Sequence, residues 1–378
     1  MLNIFCGCNS LETCKLGDEV TRINGSSFKN CAKLKEIFIP NSVDLIGEYA
    51  FLGCTEMIST IIGDGTKDIY QNAFRDCASL ETVIIGNNTE NIGNSAFSGC
   101  LSLTKIVIGN HVKQIKDNAF QDCSSLLQID IPASVTTINN YVFYGCNNLA
   151  TVLIANRESE LKLGSNGSNP LFSSCPLDSV YIGGNITYNT SKNAGYSPFY
   201  RNTSLRTIHI TDKETEISEN EFYGCTNLKN VRIGDGVTTI GNWAFSGCSS
   251  IDYFSFGSKV EKIGQEAFSD CTAMTQLYSS AKTPPVCGSQ ALDDINKWNC
   301  TLYVPSGSVA DYQAASQWKE FFFINEIITK INDTTTDSFD TKDIREIYDL
   351  QGKKRDTLQP GLNIIRMNDG TTKKIMVN

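Results

Sequence analysis

Residues Leu103–Cys123 read LTKIVIGNHVKQIKDNAFQDC, and nearly the same pattern returns 23 residues earlier and 23 residues later. Its clearest mark is a Phe-x-x-Cys pair. Phe28/Cys31, Phe51/Cys54, Phe74/Cys77, Phe97/Cys100, Phe120/Cys123 and Phe143/Cys146 keep that interval, and Phe5/Cys8 extends it to the first residues. After two longer intervals the phase returns at Phe172/Cys175, Phe199/Asn202, Phe222/Cys225, Phe245/Cys248 and Phe268/Cys271, twelve units in all. A period in the twenties is the signature of a solenoid, whose units cannot bury their apolar sides alone and must stack.

Within one unit, Leu126-x-x-Ile129-x-Ile131 alternates apolar and polar residues, which predicts a short strand with one buried face. Val135-Thr-Thr-Ile138 reads as a second short extended piece. In Tyr141-Val-Phe143-Tyr-Gly-Cys146 the apolar residues fall three apart, the spacing of one helical or 3₁₀ turn, and a glycine before many of the cysteines suits its exit. Each unit is therefore expected to run strand, turn, strand, helical turn.

The consensus L-x-x-I-x-I-[PG]-x-x-V-x-x-I-G-x-x-A-F-x-x-C resembles the BspA-type leucine-rich repeat of bacterial surface proteins. The resemblance implies a repeat solenoid, α/β but mostly β: a right-handed leucine-rich-repeat superhelix of about twelve 23-residue turns over residues 1–280. Ala281-Lys-Thr-Pro-Pro285, Thr301-Leu-Tyr-Val-Pro305, Tyr312 and Trp318–Phe321 are similar to the segment that closes such solenoids, giving a C-terminal cap at 281–324. The Thr- and Asp-rich stretch 325–343 reads as a linker. Three alternating runs within 344–378, separated by turn residues, predict a small all-β module, a β-meander. Its segments YDLQGKK, PGLNIIRMNDGT and KKIMV look like part of the C-terminal sorting domain of type IX secreted proteins.

Composition narrows the partners. The 32 basic and 41 acidic residues give a net charge of −9, which repels phosphate backbones and anionic lipids, so no nucleic acid is expected. Two histidines, His111 and His209, are too few for a His-rich zinc centre. The longest apolar run is Phe321–Ile324, so no transmembrane segment is expected. Met1–Ser10 lacks a basic n-region and a long apolar run, so it is not a signal peptide; the chain is either intracellular or lacks its leader and upstream residues. Phosphate loops, H-E-x-x-H and G-x-S-x-G motifs are not found, and the acidic residues are scattered, so no enzyme, cofactor or metal is expected. His209 near Asp212 reads as a solvated surface pair.

The cysteines in phase, Cys8, Cys31, Cys54, Cys77, Cys100, Cys123, Cys146, Cys175, Cys225, Cys248 and Cys271, should form an interior ladder. Buried thiols acting as small hydrophobes with weak donors fit the uniform spacing better than disulfides or metal ligation. Asn202 replaces one rung with a side chain able to bond neighbouring backbone. Cys6, Cys14, Cys287 and Cys300 fall off the ladder, with a Cys287–Cys300 bridge left open.

Strand alternation also places a column of side chains outward: Lys15, Phe38, Ile61, Ile84, Val107, Asp130, Leu153, Tyr181, His209, Arg232, Ser255 and Tyr278. Phe38–Val107 form an apolar strip and a candidate partner surface, or simply β-branched residues suited to strands. Tyr181, His209, Arg232, Tyr253 and Tyr278 carry the aromatic and Arg content of binding hot spots. Insertions at Gly164–Pro170 and Asn189–Pro198 enter consecutive turns at the same point and form a second candidate region. The family resemblance implies an exported, non-catalytic protein at the cell surface or outside it. Its sheet face would bind another protein, such as a host extracellular-matrix or cell-surface protein, in adhesion; a glycan is the alternative ligand.

Overall fold

A computed structural model describes residues 4–166, 169–188, 197–327, 344–348, 354–358, 361–367 and 372–377. Through residue 327 the chain winds in stacked coils that share one register. The alternating segment of each coil forms a strand, so that Glu36–Ile39, Ser59–Ile62, Thr82–Ile84 and Lys105–Val107 lie side by side in parallel. Inward residues pair with inward ones, Ile37 with Thr60 and Ile39 with Ile62. Thirteen such strands, ending with Phe323–Glu326, make the broad face of the molecule. The second extended piece forms a strand of two or three residues, and eight of these run without a break from Arg22–Ile23 to Ile186–Thr187.

Between these faces lies one continuous core. The phenylalanines of the repeat stack ring on ring, Phe28 on Phe51 at 5.1 Å and 8°, Phe74 on Phe97 at 5.1 Å and 4°. Each offset pair adds about 0.5–1.5 kcal/mol to the burial of the rings.

The third side of the coil is not the helical turn expected from the spacing. It is a run of tight turns: Ala50 N donates to Gly47 O at 3.2 Å and Cys54 N to Phe51 O at 3.2 Å, while Phe51 N reaches Ala73 O of the next coil at 2.7 Å. In most coils two residues adopt positive φ, such as Tyr49 at 58° and Gly53 at 73°, which no helix tolerates. These left-handed kinks aim alternate amides along the solenoid axis, so the backbone is satisfied between coils on this side as well.

The broad face has two seams. Lys105–Val107 and Gln128–Ile131 belong to separate hydrogen-bonded groups. Pro132 stands where the repeat elsewhere has Gly63, whose N–H donates to Ile39 O at 2.8 Å; a proline cannot make that bond. The phenylalanine stack widens beside it, to 5.7 Å for Phe97–Phe120 and 6.1 Å for Phe120–Phe143. The second seam separates Asn230–Ile233 from Tyr253–Phe256. There Phe254 and Phe256 fill the aliphatic positions, Phe254 wedging edge-on against Phe245 and Phe268.

The cap closes the core with Tyr312 and Trp318, both buried. Tyr312 Oη donates to Ala281 O at 2.8 Å and Trp318 Nε1 to Pro285 O at 2.8 Å. The last solenoid strand runs to Glu326, so pairing continues past residue 324 into the stretch read as linker; residues 328–343 lie outside the described residues. Ile344–Tyr348, Lys354–Arg355, Gly361–Met367 and Thr372–Val377 form an antiparallel sheet. It is not a simple meander. Lys354–Arg355 turns back on Ile347–Tyr348, and Gly361–Met367 then pairs on the other side of Ile344–Tyr348, bringing Ile365 against Ile347. A two-residue charged strand offers no apolar cover, which the isoleucine pairing does.

Candidate functional site

Register turns the outward residues into a column. Phe38, Ile61, Ile84 and Val107 are direct cross-strand partners, as are Asp130, Leu153, Tyr181, His209 and Arg232. The first four are exposed large apolar side chains, at 58, 45, 37 and 43%. Beside them run Glu36, Ser59, Thr82 and Lys105. Two open depressions mark the face. One, about 460 Å³, lies between Thr13–Leu16, Phe38 and Ile61. The other, about 510 Å³, sits on the first seam between Val107, Pro132, Leu153 and Tyr181, where the inward residues Ile106 and Ile108 become slightly accessible.

Farther along, the Tyr181 ring meets His209 edge-on at 4.9 Å. Partial burial and the neighbouring Arg232 cation hold the His209 pKa below its usual value, with Asp212 opposing them weakly, so the ring is neutral at pH 7. Tyr253 is half-buried and tilts against Tyr278 at 5.2 Å. Tyr278 itself is not available as an exposed contact. It pairs with Ser255 and Tyr303 in the outward column, yet it is 2% exposed, with the Tyr303 ring of the cap stacked on it at 4.3 Å.

The sequence profile of the BspA type leucine rich repeat region, with six copies, matches residues 2–127, 67–194 and 192–292. The chain belongs to the BspA-type leucine-rich repeat family. Among solved structures, a leucine-rich repeat protein from Bacteroides ovatus is 24% identical, with 85% of each chain covered and a TM-score of 0.50. A leucine rich cell surface protein from Faecalibacterium prausnitzii is 25% identical over 71% of this chain and 88% of that one, TM-score 0.33. The pneumococcal vaccine antigen PcpA is 16% identical over 85% and 89%, TM-score 0.32. No curated protein matches the chain.

In this BspA-type solenoid the repeat cysteines serve the backbone. Cys31, Cys54, Cys77, Cys100, Cys123, Cys146, Cys175, Cys225, Cys248 and Cys271 are buried and free, and each thiol donates to the carbonyl of the phenylalanine one coil earlier, as Cys77 Sγ does to Phe51 O at 3.2 Å. At the substituted rung Asn202 Nδ2 reaches the same carbonyl, Phe172 O, at 3.3 Å. Cys8 is exposed rather than interior, and Cys287 and Cys300 are free thiols. Among the described residues no group of three or more His, Cys, Asp or Glu side chains is placed to hold a metal, and no helix is long and apolar enough to cross a membrane.

The first insertion forms a short hairpin, Ser165–Asn166 against Asn169–Pro170. Of the second, residues 189–196 lie outside the described residues. One feature escaped the sequence reading: Glu214 and Glu221 are buried in the core of a single coil. Aligning the repeats would have found them, at positions held elsewhere by Val237 and Ala244.

Proposed function

We propose that this chain is a non-catalytic protein of the cell surface or extracellular space that binds a protein partner on its sheet face, in adhesion or host-protein interaction. The observation that carries the reading is the in-register strip Phe38–Ile61–Ile84–Val107, a contiguous run of exposed apolar side chains flanked by polar residues. Monomers seldom leave such a strip open, and an apolar centre with a polar rim is the anatomy of a protein interface. The sheet at 344–377 is read as an attachment or sorting module. The test is capture from host matrix and cell-surface extracts, followed by affinity measurement with the identified partner against wild type and a Phe38→Asp/Ile84→Asp variant of unchanged circular dichroism. Loss of at least tenfold supports the strip as the site; equal binding by the folded variant overturns it.

A glycan ligand is the second reading, favoured by the Tyr181–His209 ring contact and by Tyr253 on the same face. Binding on a glycan array that Tyr181→Ala and Tyr253→Ala abolish, with Phe38→Asp neutral, selects this reading over the first.

A further inference from the structure

The coil from Thr203 to Cys225 carries two acidic residues at interior positions where other coils hold valine, threonine or alanine. Glu214 occupies the position of Val43, Val112, Val135 and Val237, and Glu221 that of Ala50, Ala73, Ala96 and Ala244, all fully buried. Both glutamates are buried to the same degree, each 1% exposed. Ser218 N donates to Glu221 Oε2 at 2.7 Å, while Glu214 Oε2 has no hydrogen-bond partner. The same coil holds the flanks of the second insertion: Tyr188 Oη donates to Glu219 O at 3.0 Å and Ser197 Oγ to Glu221 O at 2.6 Å. Asn185 Oδ1 accepts from Thr215 N at 2.8 Å.

An ionised carboxylate in such a place is costly, and two close together are costlier. Among the described residues no cation offsets them, and only backbone N–H groups, those of Glu216 and Ile186 at Glu214 and of Ser218 at Glu221, do so in part. Glu216 and Glu219 of the same coil add negative charge, Tyr188 of the preceding coil brings a phenol, and Val237, Ile240 and Ala244 of the following coil bring none. Lys213 is engaged by Glu158. We propose that this coil is a proton-dependent joint in the solenoid, closed while Glu214 and Glu221 hold their protons and loosened when they ionise, so that its grip on Asn185, Tyr188 and Ser197 weakens.

Burial raises both carboxyls, Glu214 to about 8, and Glu221 rises further through its neighbour Glu214. A carboxyl raised on folding adds stability below its unfolded pKa, near 4.5, and loses it as pH climbs through the folded value. The joint therefore tightens in acid and slackens from about pH 5 to pH 8.

Hydrogen exchange of the full chain, corrected for the intrinsic rate at each pH, reads this directly. Protection at Ile186–Tyr188 and Thr215–Tyr223 is expected to fall between pH 5 and 8, by up to about tenfold per pH unit for each of the two carboxyls that keeps its proton in the closed coil, while the coils around Phe51 and Phe74 keep theirs. Glu214→Val/Glu221→Ala, which restores the residues of the other coils, and the milder Glu214→Gln/Glu221→Gln are both expected to flatten the profile. Protection independent of pH in the wild type, or a fall that both double variants retain, overturns the proposal.

Discussion

A Cβ built on Gly99 would stand 2.5 Å from Oδ1 of Asp76, the residue at the same position one coil earlier. The residue before the repeat cysteine runs Asn30, Gly53, Asp76, Gly99, Asp122, Gly145, all at φ between 58° and 78°. Left-handed backbone admits Asn, Asp and Gly most readily. The alternation has a steric cause: each Asn or Asp side chain leans over the next coil and fills the room a Cβ would need there.

Gly99→Ala is accordingly expected to cost about 2 kcal/mol, from left-handed strain and the contact with Asp76 together. Asp76→Gly/Gly99→Ala should recover the contact part and leave the backbone part, about 1 kcal/mol. Urea denaturation of the two variants and of Asp76→Gly separates the terms; additive losses would show that the side chain can move aside freely.

Asn202 offers a second test, because it satisfies two buried carbonyls, Phe172 O and Cys175 O at 2.8 Å, where a ladder cysteine satisfies one. Asn202→Ala orphans both and should cost about 2–4 kcal/mol, against about 1 kcal/mol for Cys123→Ala, which removes one weak thiol donor. Asn202→Cys should fall between them. Denaturation midpoints in that order support the ladder as a backbone-satisfying device, and equal costs refute it.

Thiol chemistry follows from the same burial. Desolvation pushes Cys175 and Cys225 up to about 12 and raises Cys100 and Cys123 well above a free thiol. The thiolate is the nucleophile, so at pH 8 only about one in ten thousand of a group at 12 is reactive even when reached. Iodoacetamide should mark Cys6 and Cys8, which are exposed, and leave the ladder unlabelled until the chain unfolds. Peptide mapping by mass spectrometry checks this; labelling of Cys123 in the native protein would contradict it.

The coil is legible in the sequence because Phe51 and Cys54 must each stack on the same residue of the neighbouring coil, so the pair returns in phase even after the two insertions. The outward column followed from strand alternation alone. What escaped were features set by neighbours in space. Tyr278 lies outward as the alternation requires, but the cap strand brings Tyr303 onto it. The turns at Tyr49 and Gly53 imitate helical spacing while their bonds run to the next coil, which a one-dimensional pattern cannot distinguish. Glu214 and Glu221 lie in a polar stretch, where only the alignment of coils reveals an inward position.

Pro132 gives the last test, because it ties the seam to the binding face. Pro132→Gly restores the donor that Gly63 directs at Ile39 O and aims it at Ile108 O. The regained hydrogen bond is worth about 1 kcal/mol. Losing the proline's restraint on the unfolded chain costs about 0.4–1 kcal/mol, so overall stability should hardly move. The local effect should be large: the two strand groups join, Ile106 and Ile108 become as buried as Ile129 and Ile131, and the depression of about 510 Å³ closes. Amide exchange of Leu127–Ile131 should slow at least tenfold, as expected of a ladder hydrogen bond gained in mid-sheet. A partner that uses this depression would bind Pro132→Gly less well, and one seated on Phe38 and Ile61 would not notice it. Unchanged exchange would mean that the strands are held apart by something other than the missing N–H.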